Sequence, residues 1–536
     1  MNLLHELFDA AARRSPDSQA LRYRGTGISY AALRQRTIHV AAALARLGVK
    51  RGDRIAICMQ NRPEVIELAL AASRLGAIFV PVSPILKVRQ LEHLLNDAGA
   101  TLLAASQGAT HALDELLRNC PTVKTLVLCD AGELPKPDGA ARAVNYDELT
   151  VESAAPPATQ AIGDDAAALL YTSGSTGRPK GVIVSHRNLV AGALSVSQYQ
   201  RNGAGDRILA ALPLSFDYGF SQVTVAFAVG ACAVLTNFAL PAALMQEAQA
   251  ERITGLAGVP TMWMHLAAME WPASVVKSLR YITNSGGVMP LAVLARLRGA
   301  LPDTQVFCMY GLTEAFRSTY LDPAELDRRP GSIGKAIPGQ EIFVLRADGS
   351  ECAPGETGEL VHRGSLVTLG YWGDRKKTAN RFRELPARLR EIPRNEIAVW
   401  SGDLVKTDAD GFLYFVARGD HLIKSSGYRI SPSEIEEVVA EVAGVVESAA
   451  IGLADDSLGQ RVVVALVAAA GAPRDLAEIV RQYCRVQLPS YMLPADIYLL
   501  EALPRNVNGK CDRAALAVQL AQLPHIQPVA RAARES

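Results

Sequence analysis

Short apolar runs and helical patterns take turns along most of this chain, and that alternation restricts its fold more than any other feature. RIAICM (Arg54 to Met59) is followed by a helical pattern from Pro63 to Leu75 and then by AIFVPV (Ala77 to Val82), and TLLAAS, TLVLCD and AALLYT continue the series. Runs of about four to eight apolar residues suit strands buried on both faces, and strands separated by helices assemble as parallel βαβ units. No fixed-period repeat or low-complexity tract interrupts the pattern. From Val223 to Met245 the only polar side chains are Thr224, Thr236 and Asn237, a length that could cross a membrane. Gly230 in its middle, Pro241 near its end and the β-branched residues after the glycine predict instead a buried helix, a turn and a buried strand.

After about Gly331 the texture changes. EIFVLRADGSECAPGETGELVHRG has strand runs split by Asp-Gly and Pro-Gly, the mark of antiparallel β structure. From Arg418 a smaller unit begins, with a helix SPSEIEEVVAEV capped by Ser431, two strand-like runs (ESAAIGL and RVVVALVAAA), a further helix and a tail. The expected fold is therefore α/β: a large N-terminal domain of parallel-rich sheets flanked by helices with a β-rich subdomain (residues 1–417), and a small α+β C-terminal domain (residues 418–536). In a chain of 536 residues, 55 basic side chains against 54 acidic ones leave a net charge of +1, which gives no electrostatic reason to expect nucleic acid or a membrane surface as partner. The eight cysteines are scattered, without Cys-x-x-Cys or zinc spacing, so neither a metal site nor a disulfide frame is indicated and a reducing cytoplasm is the expected compartment. The N-terminus lacks the long apolar core of a signal peptide.

Chemistry concentrates first in YTSGSTGRPKGV, from Tyr171 to Val182. The common nucleotide loop is G-x-x-x-x-G-K-[ST]. Here Gly174 and Lys180 have that separation, but Pro179 takes the second glycine position and Gly181 follows the lysine. The physics is still that of a phosphate cradle: Gly174 and Gly177 let backbone N–H groups turn toward an anion, Thr172, Ser173, Ser175 and Thr176 add hydroxyls, and Lys180 adds a cation. The loop leaves a strand at its carboxyl end, where parallel sheets bind ligands.

This loop resembles that of the adenylate-forming superfamily of acyl-CoA synthetases, nonribosomal peptide synthetase adenylation domains and luciferases. The remaining motifs follow in the family's order. They are Tyr310-Gly311-Leu312-Thr313-Glu314, Pro354-Gly355-Glu356-Thr357-Gly358-Glu359, Ser401-Gly402-Asp403, the run to Arg418, the segment of Asp420, Lys424, Gly427, Tyr428 and Arg429, and the terminal Pro504 to Lys510. The likeness spans nearly the whole chain and implies a two-step reaction: a carboxylate attacks the α-phosphorus of ATP to give an acyl-adenylate, and a thiol then displaces AMP. It also implies roles. Thr172 to Lys180 would cradle the leaving phosphates, Thr313 would bind a phosphate oxygen, and Glu314 would hold Mg²⁺. Asp403 would accept the ribose hydroxyls with Arg418 assisting, while Gly286, Gly287 and the Tyr310-Gly311 segment would lie at the nucleotide. Lys510 would bridge the substrate carboxylate and α-phosphate, Asp420 would be the hinge of a mobile C-terminal domain, and the loop at Gly427 would serve thiol entry.

Two residues bear on the acid. Phe216-Asp217 is similar to the FD of amino-acid-activating domains, whose aspartate holds the substrate amine; a helix cap is the competing reading. Arg317 follows Glu314 by three residues, where the family's acid pocket begins. Asp217 and Arg317 either pair with each other or part, leaving Asp217 for a substrate ammonium and Arg317 for another partner or a second acidic group. The run SFDYGFSQ and the later YGLTEAFRSTYL look closest to free-standing ligases that load carrier proteins and to AMP-forming ligases associated with exosortase clusters. Asp456-Ser457-Leu458 imitates a phosphopantetheine site, but Ala454 stands where a glycine is usual, so it reads as a turn. The thiol is then expected in trans, from CoA or the phosphopantetheine of a separate carrier protein. A CoA-only fatty or aryl acyl-CoA synthetase, a luciferase-like oxygenase and a non-catalytic binding module are the other readings.

Overall fold

The computed structural model describes the chain except Met1 and residues 107–112, 131–133, 135–140, 152–154, 175–176, 239, 391–392, 394, 419–421, 506–510 and 523–536; for 113–114, 173–174, 177–178 and 417–418 it describes the backbone alone. Two compact units are present, one of Met1–Thr172 with Lys180–Gly419, the other of Ser173–Pro179 with Asp420–Ser536.

The alternating runs become strands where the pattern places them. One seven-stranded sheet has the order Arg142–Asn145, Thr125–Cys129, Leu102–Ser106, Arg54–Cys58, Ile78–Val82, Ala166–Gly174 and Gly177–Ser185. Its first six strands are joined by parallel pairings, with Ile55 opposite both Phe79 and Leu102. The intervening helix Pro63–Leu75 starts with proline at its first position, where no N–H is needed, and stops at Gly76 in a left-handed conformation (φ 67°).

A second, fourteen-stranded sheet carries the parallel strands Arg207–Ala210, Cys232–Leu235, Gly255–Gly258, Tyr281–Asn284 and Gln305–Tyr310. It continues beyond Gln305–Tyr310 in antiparallel strands, among them Thr319–Leu321, Ser332–Ala336, Gln340–Leu345, Thr357–Gly364, Ile397–Thr407 and Leu413–Arg418. Antiparallel pairing begins at Thr319–Leu321, about a dozen residues before the change in sequence texture near Gly331, and continues through the region after it. The apolar stretch after Val223 resolves as the helix Asp217–Val229, a turn at Gly230 (φ 78°) and the buried strand Cys232–Leu235. No helix among the described residues is long and apolar enough to cross a membrane.

The second unit is a five-stranded sheet with helices Pro432–Ala440, Leu476–Gln487 and Arg513–Ala521. Ile435, Val438, Val464, Leu466 and Val480 fill part of its core. Ser431 does stand at the cap position of the first helix, but its side chain makes no capping bond; Pro432 at the first helical position removes one of the N–H groups that would need it. Ser457 lies in a turn between strands, its N–H and hydroxyl both donating to Asp455 Oδ1, in keeping with its reading as a turn.

Candidate active site

The predicted phosphate loop is more strand than loop. Thr172, Ser173 and Gly174 end the strand Ala166–Gly174, and Gly177 already begins Gly177–Ser185, which also carries Lys180. Ser175 and Thr176 lie outside the described residues, as do the side chains of Ser173 and Arg178. The glycine after the lysine has a packing reason: a Cβ on Gly181 would meet the Tyr171 ring at 3.2 Å and Trp372 Cβ at 3.4 Å. The backbone of this strand is tied to the segment 369–372 by Ile183 N–H to Gly370 O (2.9 Å) and Trp372 N–H to Gly181 O (2.8 Å). That pairing sets Lys180 Nζ 4.4 Å above the centre of the Tyr371 ring, a cation–π contact.

Tyr371 connects the lysine to Glu314. Its hydroxyl donates to Glu314 Oε1 at 2.6 Å, and Thr368 donates both its N–H (3.0 Å) and its hydroxyl (2.9 Å) to the Glu314 carbonyl oxygen. Glu314 is buried, in the short 3₁₀ turn Thr313–Ala315. Burial and the neighbouring Glu314 carboxylate push the Tyr371 hydroxyl well above its usual pKa, so it remains a donor. Phe316, which follows this turn, has φ 53°, a conformation costly for a bulky side chain. Its ring is fully buried against Gly192, where a Cβ would come within 2.7 Å of it. The strained backbone therefore separates Glu314 from Arg317 and turns the two side chains to different neighbours.

Asp217 and Arg317 are not paired with each other. Asp217 opens the helix Asp217–Val229; Oδ1 accepts the N–H of Tyr218 (2.6 Å) and Oδ2 accepts the Thr313 hydroxyl (3.2 Å). Arg317 is 3% exposed. It donates to Ser221 Oγ (2.8 Å) and to the Phe316 carbonyl (3.2 Å), and its guanidinium lies 4.7 Å from the centre of the Tyr218 ring. The Tyr218 hydroxyl in turn bonds to Thr283.

Asp403 is buried in the strand Ile397–Thr407 and accepts a hydrogen bond from the Tyr310 hydroxyl. Strand register sets Arg418 opposite Asp403, though the Arg418 side chain is outside the description. Gly286 (φ 80°) and Gly287 follow the strand Tyr281–Asn284, and Asn284 Nδ2 donates to the Gly287 carbonyl (2.9 Å). Gly311 lies close to the backbone of Arg317, its ideal Cβ 3.3 Å from Arg317 Cα. Gly427 (φ 82°) turns the hairpin between Ile423–Ser425 and Tyr428–Ile430 in the second unit. Asp420 and Lys510 lie outside the described residues.

Tyr371, Ser221, Tyr218 and Gly192 went unnoticed as site residues in the sequence. Gly370 and Gly373 bracketing Tyr371-Trp372 were a usable signal, because paired glycines around aromatics mark a close backbone passage. Nothing in the spacing of Ser221 or Gly192 distinguishes them from other small residues of an apolar helix.

Residues 8–372 match the model of the AMP-binding enzyme family, and residues 434–510 match that of the AMP-binding enzyme C-terminal domain. The chain is 31% identical to the L-proline–[L-prolyl-carrier protein] ligase of Pseudomonas fluorescens over 97% of its own length and 100% of the ligase. It is 30% identical to a linear gramicidin synthase polypeptide of Brevibacillus parabrevis over 96% of its length, while spanning only 10% of that polypeptide. Among solved structures, an o-succinylbenzoate CoA synthetase from Bacillus subtilis superposes with a TM-score of 0.82 at 27% identity, covering 95% of this chain and 98% of the other. With both family models matched in order and the first spanning well over half its residues, the chain belongs to the AMP-binding enzyme family.

Proposed function

We propose that the protein uses ATP to activate a carboxylic acid as its acyl-adenylate and then transfers the acyl group to a phosphopantetheine thiol, of CoA or of a separate carrier protein. The observation that carries this reading is the convergence on the turn Tyr310–Arg317. It gathers a hydroxyl for phosphate (Thr313), a buried carboxylate (Glu314) and, through Tyr310, the acceptor Asp403, all at the carboxyl end of the parallel strand Gln305–Tyr310. Ligands of open α/β sheets bind at such strand ends. Asp403, with two acceptor oxygens, suits a pair of ribose hydroxyls.

Among the described residues no group of three or more His, Cys, Asp or Glu could hold a metal by itself. Mg²⁺ at a nucleotide takes most of its ligands from phosphates and water, so the single carboxylate of Glu314 fits it. When bound, the ion would supply charge neutralisation at the phosphates. Glu314 would be its protein ligand, held in aim by Tyr371, and Lys180 would add positive charge behind the Tyr371 ring.

Asp217 favours an amino acid as the substrate acid. A carboxylate hydrogen-bonded to Thr313 stands beside the phosphate-facing hydroxyl, where the α-ammonium of an amino acid would follow the reacting carboxylate. Residues 1–417 would form the adenylation core. Residues 418–536, swinging about Asp420, would bring in Lys510 to stabilise charge on the α-phosphate and then present the Gly427 hairpin for thiol entry.

Acid-dependent release of pyrophosphate from ATP tests the reading. It is expected with wild type, and Lys510→Ala is expected to lose it while retaining part of the transfer from supplied acyl-adenylate to thiol. An absence of pyrophosphate release with amino, fatty and aryl acids alike overturns it.

A further inference from the structure

Arg317 is a buried charge whose described partners are all neutral. Its hydrogen bonds go to the hydroxyl of Ser221 and the carbonyl of Phe316, and the Tyr218 ring covers its guanidinium. Among the described residues no carboxylate lies within ion-pair distance of it, although it is 3% exposed. Buried charges are paired or they face a ligand that pairs them, because desolvation is otherwise uncompensated. Elsewhere in this chain the rule is kept: Arg74, also buried, holds Asp9 through two hydrogen bonds of 2.6 and 2.9 Å.

The side chain is also held in place. Phe316 is locked by its ring against Gly192. On the other flank Ser318 is fixed by its N–H to Tyr310 O (3.2 Å) and by its hydroxyl to His362 Nδ1 (2.9 Å). A guanidinium on so constrained a backbone is preorganised for a planar, two-oxygen acceptor.

Position identifies what that acceptor belongs to. Asp217 and Ser221 are four residues apart on one helix, hence on the same face and about 6 Å apart along its axis. Asp217 touches Thr313 at one end of this face, and Ser221 touches Arg317 at the other. A second donor lacks a hydrogen-bond partner among the described residues: it is the buried Trp263 Nε1, whose indole lies against Gly258, within 2.9 Å of where a Cβ would stand. The backbone of Gly258 bonds in turn to Tyr218, the ring that covers Arg317. Two donor-only groups around Tyr218 call for an acceptor-rich ligand.

We propose that the acid substrate is a dicarboxylic acid of the α-amino class, whose second carboxylate, about one helical turn from the ammonium held by Asp217, is bound by Arg317. This rests on the adenylation reading above and specifies the substrate for the same site. The reacting carboxylate remains at Thr313, so the two acidic groups are distinguished by which end of the helix Asp217–Val229 they meet.

Pyrophosphate release with L-glutamate, L-2-aminoadipate, L-glutamine and glutarate separates the ideas. L-glutamate and L-glutamine differ in the second carboxylate with little change of shape, and L-glutamate and glutarate differ in the amine. Wild type is expected to favour L-glutamate or L-2-aminoadipate over L-glutamine by about a hundredfold or more in kcat/KM, since a site built for a charged acceptor rejects the analogue lacking it. Arg317→Met is expected to bring that ratio near one, and Arg317→Lys to retain part of it, with thermal unfolding used to confirm that both variants fold. Equal or faster turnover of L-glutamine, or of monocarboxylic amino acids such as L-leucine, by wild type overturns the dicarboxylate proposal while leaving adenylation standing. Silence with every acid, these included, overturns the adenylation reading itself. Faster turnover of glutarate than of L-glutamate removes the α-amino class, and with it the substrate stated here.

Discussion

Two buried charges of opposite sign stand three residues apart on one turn, and the molecule treats them differently. Glu314 receives a phenolic hydroxyl, from Tyr371, and a lysine sits on the face of that ring. Arg317 also has a tyrosine, Tyr218, but receives its π face, while the hydroxyl of that ring goes to Thr283. On the Glu314 side the protein already supplies a positive charge; on the Arg317 side the described residues supply hydroxyl, carbonyl and ring. Under the proposed function, the contrast suits Glu314 to a cation shared with phosphates and Arg317 to a counter-charge brought by the ligand.

The strongest way to break this contrast is Glu314→Gln. It keeps the shape and the Tyr371 hydrogen bond but removes the charge, so pyrophosphate release is expected to fall by roughly a hundred- to a thousandfold, the range seen when one electrostatic stabiliser is removed. The melting temperature should hold or rise, because a buried charge has been neutralised. Acid-dependent pyrophosphate release near wild-type level would show that Glu314 is a structural residue and that the two charges do not divide the work.

Tyr371→Phe sharpens the same comparison. It leaves the ring under Lys180 and deletes only the hydroxyl donated to Glu314. A hydrogen bond to a charged group contributes about 1.5–3 kcal/mol, so a loss of roughly ten- to a hundredfold is expected. Because Tyr371 acts through Glu314, the loss should appear as a raised Mg²⁺ requirement, and the preference among acids should stay unchanged. A changed acid preference would mean that the two sides of the turn are not independent.

The sequence made the scaffold of this comparison readable and hid its contacts. Every strand run named from hydrophobicity, from Arg54 to Thr125, entered the parallel sheet, because a strand buried on both faces has to be continuously apolar. Thr313, Glu314 and Asp403 were named as candidates through ordered motifs, since chemistry restricts residue type at fixed positions along the chain. Phe316 on Gly192 and Arg317 on Ser221 were not legible. Each joins residues far apart along the chain, and periodicity reports which face of an element is buried without reporting what covers it. The parting of Asp217 from Arg317 was one of two open readings and needed the helix Asp217–Val229 to be placed against the turn before it could be decided.

The smallest expected effect concerns what stands behind the Arg317 side. His362 is fully buried, with Nδ1 bonded to Ser318 Oγ and Nε2 to Gln340 Oε1, and burial lowers its pKa to about 3. His5 and His186 are lowered to about 4, also chiefly by burial. A histidine depressed in the folded state is neutral there while its unfolded counterpart takes a proton below about 6.5. The unfolded chain then binds more protons, so this contribution to stability is complete above about pH 6.5 and is lost as the pH falls toward the folded values. Each such histidine contributes a slope of up to about 1.4 kcal/mol per pH unit in that window. Between about pH 6.5 and 5, before ordinary carboxylates titrate, denaturant unfolding of wild type should therefore show falling stability. His362→Gln, which can still reach Ser318 or Gln340, should lower stability at about pH 7 yet flatten that slope by about one proton. An unchanged slope would mean that His362 takes up its proton in the fold, and that the flank of Arg317 is looser than its buried hydrogen bonds imply.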